Sequence, residues 1–351
     1  MSAIVEVVEA GMAVTIQDRG RRGYRNIGVP LSGALDPGLM TAANALLGND
    51  PDAAVLEVCL AGPALKALSG TVRVALAGEL SAQVVTSRGR VLKVEPWQTV
   101  TLFPGDVARI GAVARGVGYV GISGGFQVPP QLGSRSTYVR ARIGGADGLP
   151  LTTGLRLPCA PLSGNPWLES CGTQPWPVDQ GPIRVIAGPQ DDHFTPAALD
   201  AFFSQPYAVT RDMDRMGIRF EGEKLVHNER GADVVSDGVA PGSIQVPANG
   251  QPIVLLADCQ TSGGYPKIAT VISADLPRLA HVRPGDKVRF VAVDHAAAAA
   301  ALRDLASRIA RWCAAIGTFF PAGVVDETAL YEGNLISGAI RGDEAVALAC
   351  M

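Results

Sequence analysis

Aromatic residues make up only 5% of the 351-residue chain, and histidine occurs only at positions 193, 227, 281 and 295. None of those spacings suits a zinc site, so no metal is expected in this chain. Six cysteines, at 59, 159, 171, 259, 313 and 350, form no C-x-x-C pair. They read as reduced thiols and not as a disulfide framework. The formal net charge is −3, with no long run of either sign, which argues against nucleic acid as a partner. The one basic concentration is RGRRGYR, Arg19 to Arg25, readable as a solvated hairpin or as an anion site. No segment approaches the roughly 18 uncharged apolar residues of a membrane span. The opening MSAIVEVVEAGMAV is broken by Glu6 and Glu9 and lacks a basic leader, so it reads as a strand. A soluble, cytoplasmic protein with no membrane contact is the expectation. G-x-x-x-x-G-K-[ST] and G-x-G-x-x-G are both absent, which leaves nucleotide binding by this chain alone unsupported.

What the chain has is 47% hydrophobic residues punctuated by 41 glycines and 25 prolines. That mixture predicts many short strands joined by turns, and the length predicts two domains. The strand-like runs include AIVEVVEAG, GTVRVALAGELSAQVV, VLKVEPWQTVTLF, VARIGAVARGVGYVGI, PIRVIAG and KVRFVAV. Helical patterns are few. DPGLMTAANALLGND has Asp36 as N-cap, Pro37 at the first helical position and Gly48 as its stop; TPAALDAFFSQ and DHAAAAAALRDLASRIARWCAA are the others.

Two phrases recur. TLFPGDVARIGAV returns as HVRPGDKVRFVAV, setting Pro104-Gly105-Asp106 and Arg109 against Pro284-Gly285-Asp286 and Arg289. NIGVPLSG resembles SIQVPANG, setting Ile27, Val29, Pro30 and Gly33 against Ile244, Val246, Pro247 and Gly250. The two offsets differ, which implies an insertion in the first copy holding the helix near 37 to 48. The expected organisation is a first β-barrel subdomain over 1–155, a Pro/Gly-rich connection over 156–181, a second β-barrel subdomain over 182–314 and a C-terminal tail over 315–351.

The stretch SIQVPANGQPIVLLADCQTSGGYPKIATV gathers Gln245, Gln260, Thr261 and Tyr265 beside one carboxylate, Asp258, and one cation, Lys267. Amides and hydroxyls at this density suit a small polar substrate, since every buried N–H and C=O needs a partner. Lys267 can polarise a carbonyl, and Asp258 can accept an amide proton. A satisfied network in a turn-rich strand is the structural alternative. In VPLSGALD, Asp36 either caps the helix or, with that helix N-terminus, walls a pocket for a substrate carboxylate; Asn44 is similarly ambiguous. Glu57 lies within the strand-like AVLEVCLAG and needs a cation, with Arg19 or Arg215 available. RDMDRMGIRFEG spaces Arg211, Arg215 and Arg219 by four around Gly217, as a hairpin edge or an arginine fork for an anion. No nucleophile constellation emerges around Ser123 or Ser134.

Taken in order, TIQDRGRRGYRNIGVPLSGALD, AANALLGND, AVLEVCLAGP, YVGISGGF, LGSRSTY, RMGIRFEG and SIQVPANGQPIVLLADCQTSGGYPKIATVISADL resemble the biotin-dependent carboxyltransferase family, also called allophanate hydrolase subunit 2-like. Leu149 and Cys259 depart from it, standing where the family commonly has arginine. The resemblance implies a mainly β fold of two tandem cyclophilin-like β-barrel subdomains with a few helices. It implies a companion chain of the allophanate hydrolase subunit 1-like type and a small amide or lactam substrate. The activity implied is that of the C subunit of an ATP-dependent 5-oxoprolinase, opening 5-oxoproline to glutamate, with ATP used through the complex. One alternative within the family is the carboxyltransferase component of a urea- or guanidine-type carboxylase, which would use carboxybiotin from another chain, since no M-K-M attachment site occurs here. A non-catalytic regulator that binds a kinase-inhibitor-like companion is a third. Lys267 and Asp258 are the expected catalytic pair, with Gln245, Gln260, Thr261, Tyr265, Arg215, Asp36 and Asn44 binding substrate.

Overall fold

Apolar alternation builds the first sheet. In a computed structural model, which describes residues 2–173 and 181–321, the strand Ala3–Glu9 buries Ala3, Val5 and Val7 and leaves the residues between them partly open. It pairs with Ala64–Ser69 on one side and Arg156–Cys159 on the other, so the first unit's pairing runs past residue 155. Val107–Ile110, Ala82–Val85 and Val91–Val94 complete six strands. A five-stranded sheet, ordered Thr15–Gln17, Val55–Val58, Gly118–Ile122, Val72–Ala77 and Thr99–Leu102, closes over the same core.

The second unit is one eight-stranded sheet. Its edge strands are Lys287–Val288 and Phe290–Ala292, so a single short segment supplies both ends and nearly closes the barrel. All its pairings are antiparallel except Ile183–Ala187 with Phe290–Ala292. Phe202, Tyr207, Phe220 and Phe290 fill its core, with Phe202 and Phe290 stacked at 4.9 Å between centroids. The fold is thus mainly β, two tandem barrel units with few helices.

Helices lie where their caps place them. Asp36 accepts from the N–H groups of Gly38 and Leu39 to start α1, Pro37–Leu47, and Gly48 ends it at φ +65°. Thr195 caps α2, Pro196–Ser204, and Asp294 caps α3, His295–Ala314. Near the end of α3, Trp312 meets Trp97 of the first unit at 5.3 Å, and Gly317–Phe319 pairs with Glu169–Cys171. Residues 174–180 of the connection and 322–351 of the tail lie outside the described residues.

The PGD repeat is structural. Asp106 accepts from the N–H of Phe103 and Asp286 from that of Arg283, while Gly105 and Gly285 adopt φ +95° and +93°. Ala67 and Val209 then bond these turns in equivalent ways, N–H to the aspartate carbonyl and C=O to the glycine N–H. The NIGVPLSG pairing does not hold. Ile27 sits in a 3-10 turn with 66% of its surface exposed, whereas Ile244 is buried in the strand Ser243–Gln245. The RGRRGYR hairpin is absent as well: Arg25–Ile27 is that turn, and Arg21 is buried, donating to the carbonyl of Ser136.

Candidate active site at the seam of the two units

Burial of Glu57 organises the seam. It lies at 0% exposure in Val55–Val58, where an ionised carboxylate requires strong partners. Its Oε2 accepts from the Leu35 N–H at 2.8 Å and from Tyr119 Oη at 2.6 Å; its Oε1 pairs with Arg215 Nη1. Arg215 comes from the turn between Tyr207–Asp214 and Gly217–Glu221 of the second unit. It also grips Asp258 twice, from Nε at 2.8 Å and from Nη2 at 3.2 Å, and donates to the Gly33 carbonyl at 2.6 Å. One guanidinium thus joins carboxylates of both units, as bidentate geometry allows. Burial disfavours its charge, but Glu57 and Asp258 outweigh that and hold its pKa above the ordinary arginine value. Arg19 pairs instead with Asp52 at the surface.

The network continues through α1. Tyr119 Oη accepts from the Asp36 N–H at 2.9 Å, and Asp36 Oδ2 lies 2.9 Å from His281 Nε2 of the second unit. Burial raises the Tyr119 phenol well above its ordinary value, reinforced by Glu57 and Asp36. Asp36 therefore caps the helix and bridges the seam. Asn44 turns inward elsewhere, donating to the carbonyls of Ala53 and Pro51 and accepting from Asn49, which makes it a brace for the loop after α1.

Lys267 starts the strand Lys267–Val271 and is 4% exposed. Its Nζ donates to Asp237 Oδ2 at 2.5 Å and to the Gly238 carbonyl at 3.0 Å. Asp237 is exposed, and its carboxyl is held below the usual range first by the Lys267 hydrogen bond. Nearby amides are held loosely. Gln260 Nε2 lies 3.4 Å from Gln245 Oε1, and Gln245 Nε2 lies 3.5 Å from the Tyr265 carbonyl, at the long limit of a hydrogen bond. Thr261 contributes its carbonyl to the Val239 N–H, and the Tyr265 side chain is exposed. An added Cβ at Gly263 would stand 2.5 Å from Gln245 Nε2, so this glycine makes room for the amide.

Two groups of sequence-selected residues therefore emerge: Asp258, Arg215 and Asp36 in the seam network, and Lys267, Gln245, Gln260, Thr261 and Tyr265 around the following turn. Arg25 ties them to the first unit, donating to the carbonyls of Val239 and Gln260. Ser32 does so as well, its N–H bonding the Ala257 carbonyl at 3.0 Å. Arg21 Nη1, Arg25 Nη1 and Ser32 Oγ are buried and have no hydrogen-bond partner among the described residues. Tyr119, His281, Asp237, Arg21 and Arg25 escaped sequence reasoning because their partners lie far away in the chain; for Arg21, the only signal was the charge density of RGRRGYR. Asp18 holds Ser134 and Ser136 by hydroxyl bonds of 2.6 and 2.5 Å, which gives Ser134 a structural job.

A cavity of about 880 Å3 opens elsewhere, bordered by Arg219, Lys224, His227 and Asn249, and none of the nine selected residues lines it. The buried charge lies instead at the seam. Among the described residues no group of His, Cys, Asp and Glu is arranged to hold a metal, and no helix is long and apolar enough to cross a membrane. Burial pushes the Cys59 and Cys159 thiols up to about 12, helped at Cys59 by Glu57. Both are poor nucleophiles at neutral pH. Iodoacetamide at pH 8 is expected to leave them unlabelled in the native protein and to label them in urea; native labelling at either site, mapped by mass spectrometry, would contradict this environment.

Comparison with known proteins agrees with this architecture. Residues 27–292 match the family model described as carboxyltransferase domain, subdomain A and B. The chain is 36% identical over 298 residues to the C subunit of 5-oxoprolinase from Escherichia coli (strain K12), covering 82% of this chain and 91% of that one. It is 30% identical over 315 residues to urea amidolyase of Saccharomyces cerevisiae, covering 83% of this chain and 17% of that much longer protein. The crystal structure of the K. lactis urea amidolyase superposes with a TM-score of 0.77 at 26% identity, over 88% of this chain and 20% of that one. The chain belongs to the family of carboxyltransferase domains built from subdomains A and B.

Proposed function

We propose that this chain is the C subunit of an ATP-dependent 5-oxoprolinase and that the lactam is handled at the seam between its two units. The observation that carries the reading is the turn around residues 257–260. Hydrogen-bonding capacity there is unspent: Arg25 Nη1 and Ser32 Oγ are buried and lack partners among the described residues, and the Gln245 and Gln260 amides are loosely paired. A small, dense amide substrate needs such a set, because each of its polar atoms loses water on entry. The near full-length match to the C subunit of 5-oxoprolinase supports this substrate over urea.

In this reading Asp258, fixed by Arg215, accepts the lactam N–H with a remaining lone pair and orients the ring. Both of its oxygens are engaged by Arg215, which suits orientation and not proton abstraction. Lys267 has spent two of its three donors, on Asp237 and Gly238, and directs the third at the lactam carbonyl. Nucleotide chemistry belongs to companion subunits of the allophanate hydrolase subunit 1-like type, since the chain has no phosphate-cradling loop. The urea amidolyase relatives favour a second reading, carboxyl transfer to urea or guanidine from carboxybiotin carried on another chain.

Co-expression with the companion subunits separates the two. The expected result is one size-exclusion peak at micromolar concentration and 5-oxoproline-dependent ATP hydrolysis that this chain alone lacks. Turnover of urea or guanidine only, with a biotinylated chain required, would establish the second reading; 5-oxoproline-dependent ATP hydrolysis by this chain alone would overturn the division of labour.

A further inference from the structure

The recurring PGD segment differs in charge between its two copies. In the first, PGDVAR, Val107 is apolar and Arg109 is neutralised by Glu9. In the second, PGDKVR, Lys287 replaces the valine, and neither Lys287 nor Arg289 has a side-chain hydrogen bond or ion pair to any described residue. Strand alternation puts Lys287 and Arg289 on one face, because Val288 and Phe290 between and beyond them are in the core of the second barrel. Both cations border a cavity of about 440 Å3, together with Arg115, Arg278, His281 and Asp286.

The other walls are fixed. Arg115, from the first unit, bonds Asp286 Oδ2 at 2.6 Å and the His281 carbonyl at 3.0 Å. Arg278 is tied to Asp275 and to the carbonyls of Gly181 and Pro182. Four cations thus face one lining carboxylate, in a chain whose net charge is −3. Arg115 and Arg278 have carboxylate partners, so the unmatched charges of Lys287 and Arg289 leave this concave site attractive to an anion. We infer that this cavity is a binding site for the phosphoryl oxyanions of a small molecule. Guanidinium forks match phosphate oxygens, lysine adds a point charge, and the volume falls in the range of small-molecule sites rather than of a flat protein contact. The site is separate from the seam turn, although His281 belongs to its wall and also contacts Asp36.

The test uses the full chain and three probes, inorganic phosphate, pyrophosphate and ATP, titrated calorimetrically at constant ionic strength. Saturable pyrophosphate binding at submillimolar concentration is expected, weakened at least tenfold in the double variant Lys287→Val, Arg289→Gln. Both residues are exposed, so the variant should melt at the wild-type temperature without ligand. ATP binding no tighter than pyrophosphate assigns recognition to phosphoryl groups alone; tighter ATP binding that the double variant also loses assigns it to a nucleotide. Chloride-like, non-saturating heats, or pyrophosphate affinity equal in wild type and variant, would overturn the inference. So would a variant that binds pyrophosphate normally but fails to bind the companion protein, which would mark this face as a protein contact.

Discussion

Arg215→Met is expected to cost about 3–5 kcal/mol of folding stability, a large part of the roughly 5–15 kcal/mol that holds a domain. The reason lies in what the substitution leaves behind. Glu57 and Asp258 are both buried, and Arg215 is the cation that pairs with each of them. Removing it strands two carboxylates and frees the Gly33 carbonyl as well. The triple variant Glu57→Gln, Arg215→Met, Asp258→Asn discharges all three positions and is expected to recover most of the loss, since neutral replacements of buried ion networks are often tolerated. Urea unfolding of the wild type and of the single and triple variants provides the measurement. A cost below about 1 kcal/mol for the single variant, or no recovery in the triple, would show that the seam does not depend on this pairing.

That seam was partly legible in the sequence. A carboxylate inside a hydrophobic strand announces a buried ion pair, and of the two arginines available to Glu57 the structure uses Arg215, the one in a tight turn. The helices were legible through local chemistry, because a cap such as Asp36 acts within three residues of its own position. His281 beside Asp36 was not, nor was Lys267 beside Asp237, since such pairings depend on how two barrels dock and how a loop folds back. NIGVPLSG misled for a related reason. Short Val-Pro-Gly phrases fit both a 3-10 turn at the surface and a strand in a core, and only the tertiary surroundings decide. Asn44 read as a wall of the substrate pocket from its neighbours in sequence, yet its amide is consumed by the loop at residues 51–53.

Lys267→Met is expected to lower 5-oxoproline turnover in the assembled complex by about a hundredfold or more, the typical effect of losing a group aimed at developing oxyanion charge, and Asp258→Asn to lower it by about a hundredfold through misplacement of the lactam ring. Stability must be separated from chemistry in both. Asn at 258 keeps the shape and one acceptor oxygen but weakens a charge-assisted pair with Arg215, at about 1.5–3 kcal/mol. Turnover is therefore compared well below the melting temperature of each variant, per mole of folded protein. Asp237→Ala supplies the decisive control, because it removes the exposed partner of Lys267 and leaves the ammonium in place. If Lys267 acts on the substrate, Lys267→Met loses far more turnover than Asp237→Ala. If the lysine only anchors the loop at Asp237 and Gly238, the two variants lose activity together, in step with stability, and the substrate is bound away from this turn. For Asp258, orientation of the lactam N–H without proton transfer predicts a fall in turnover with little change in its pH profile. A loss of the acidic limb of that profile in Asp258→Asn would instead assign Asp258 to proton transfer.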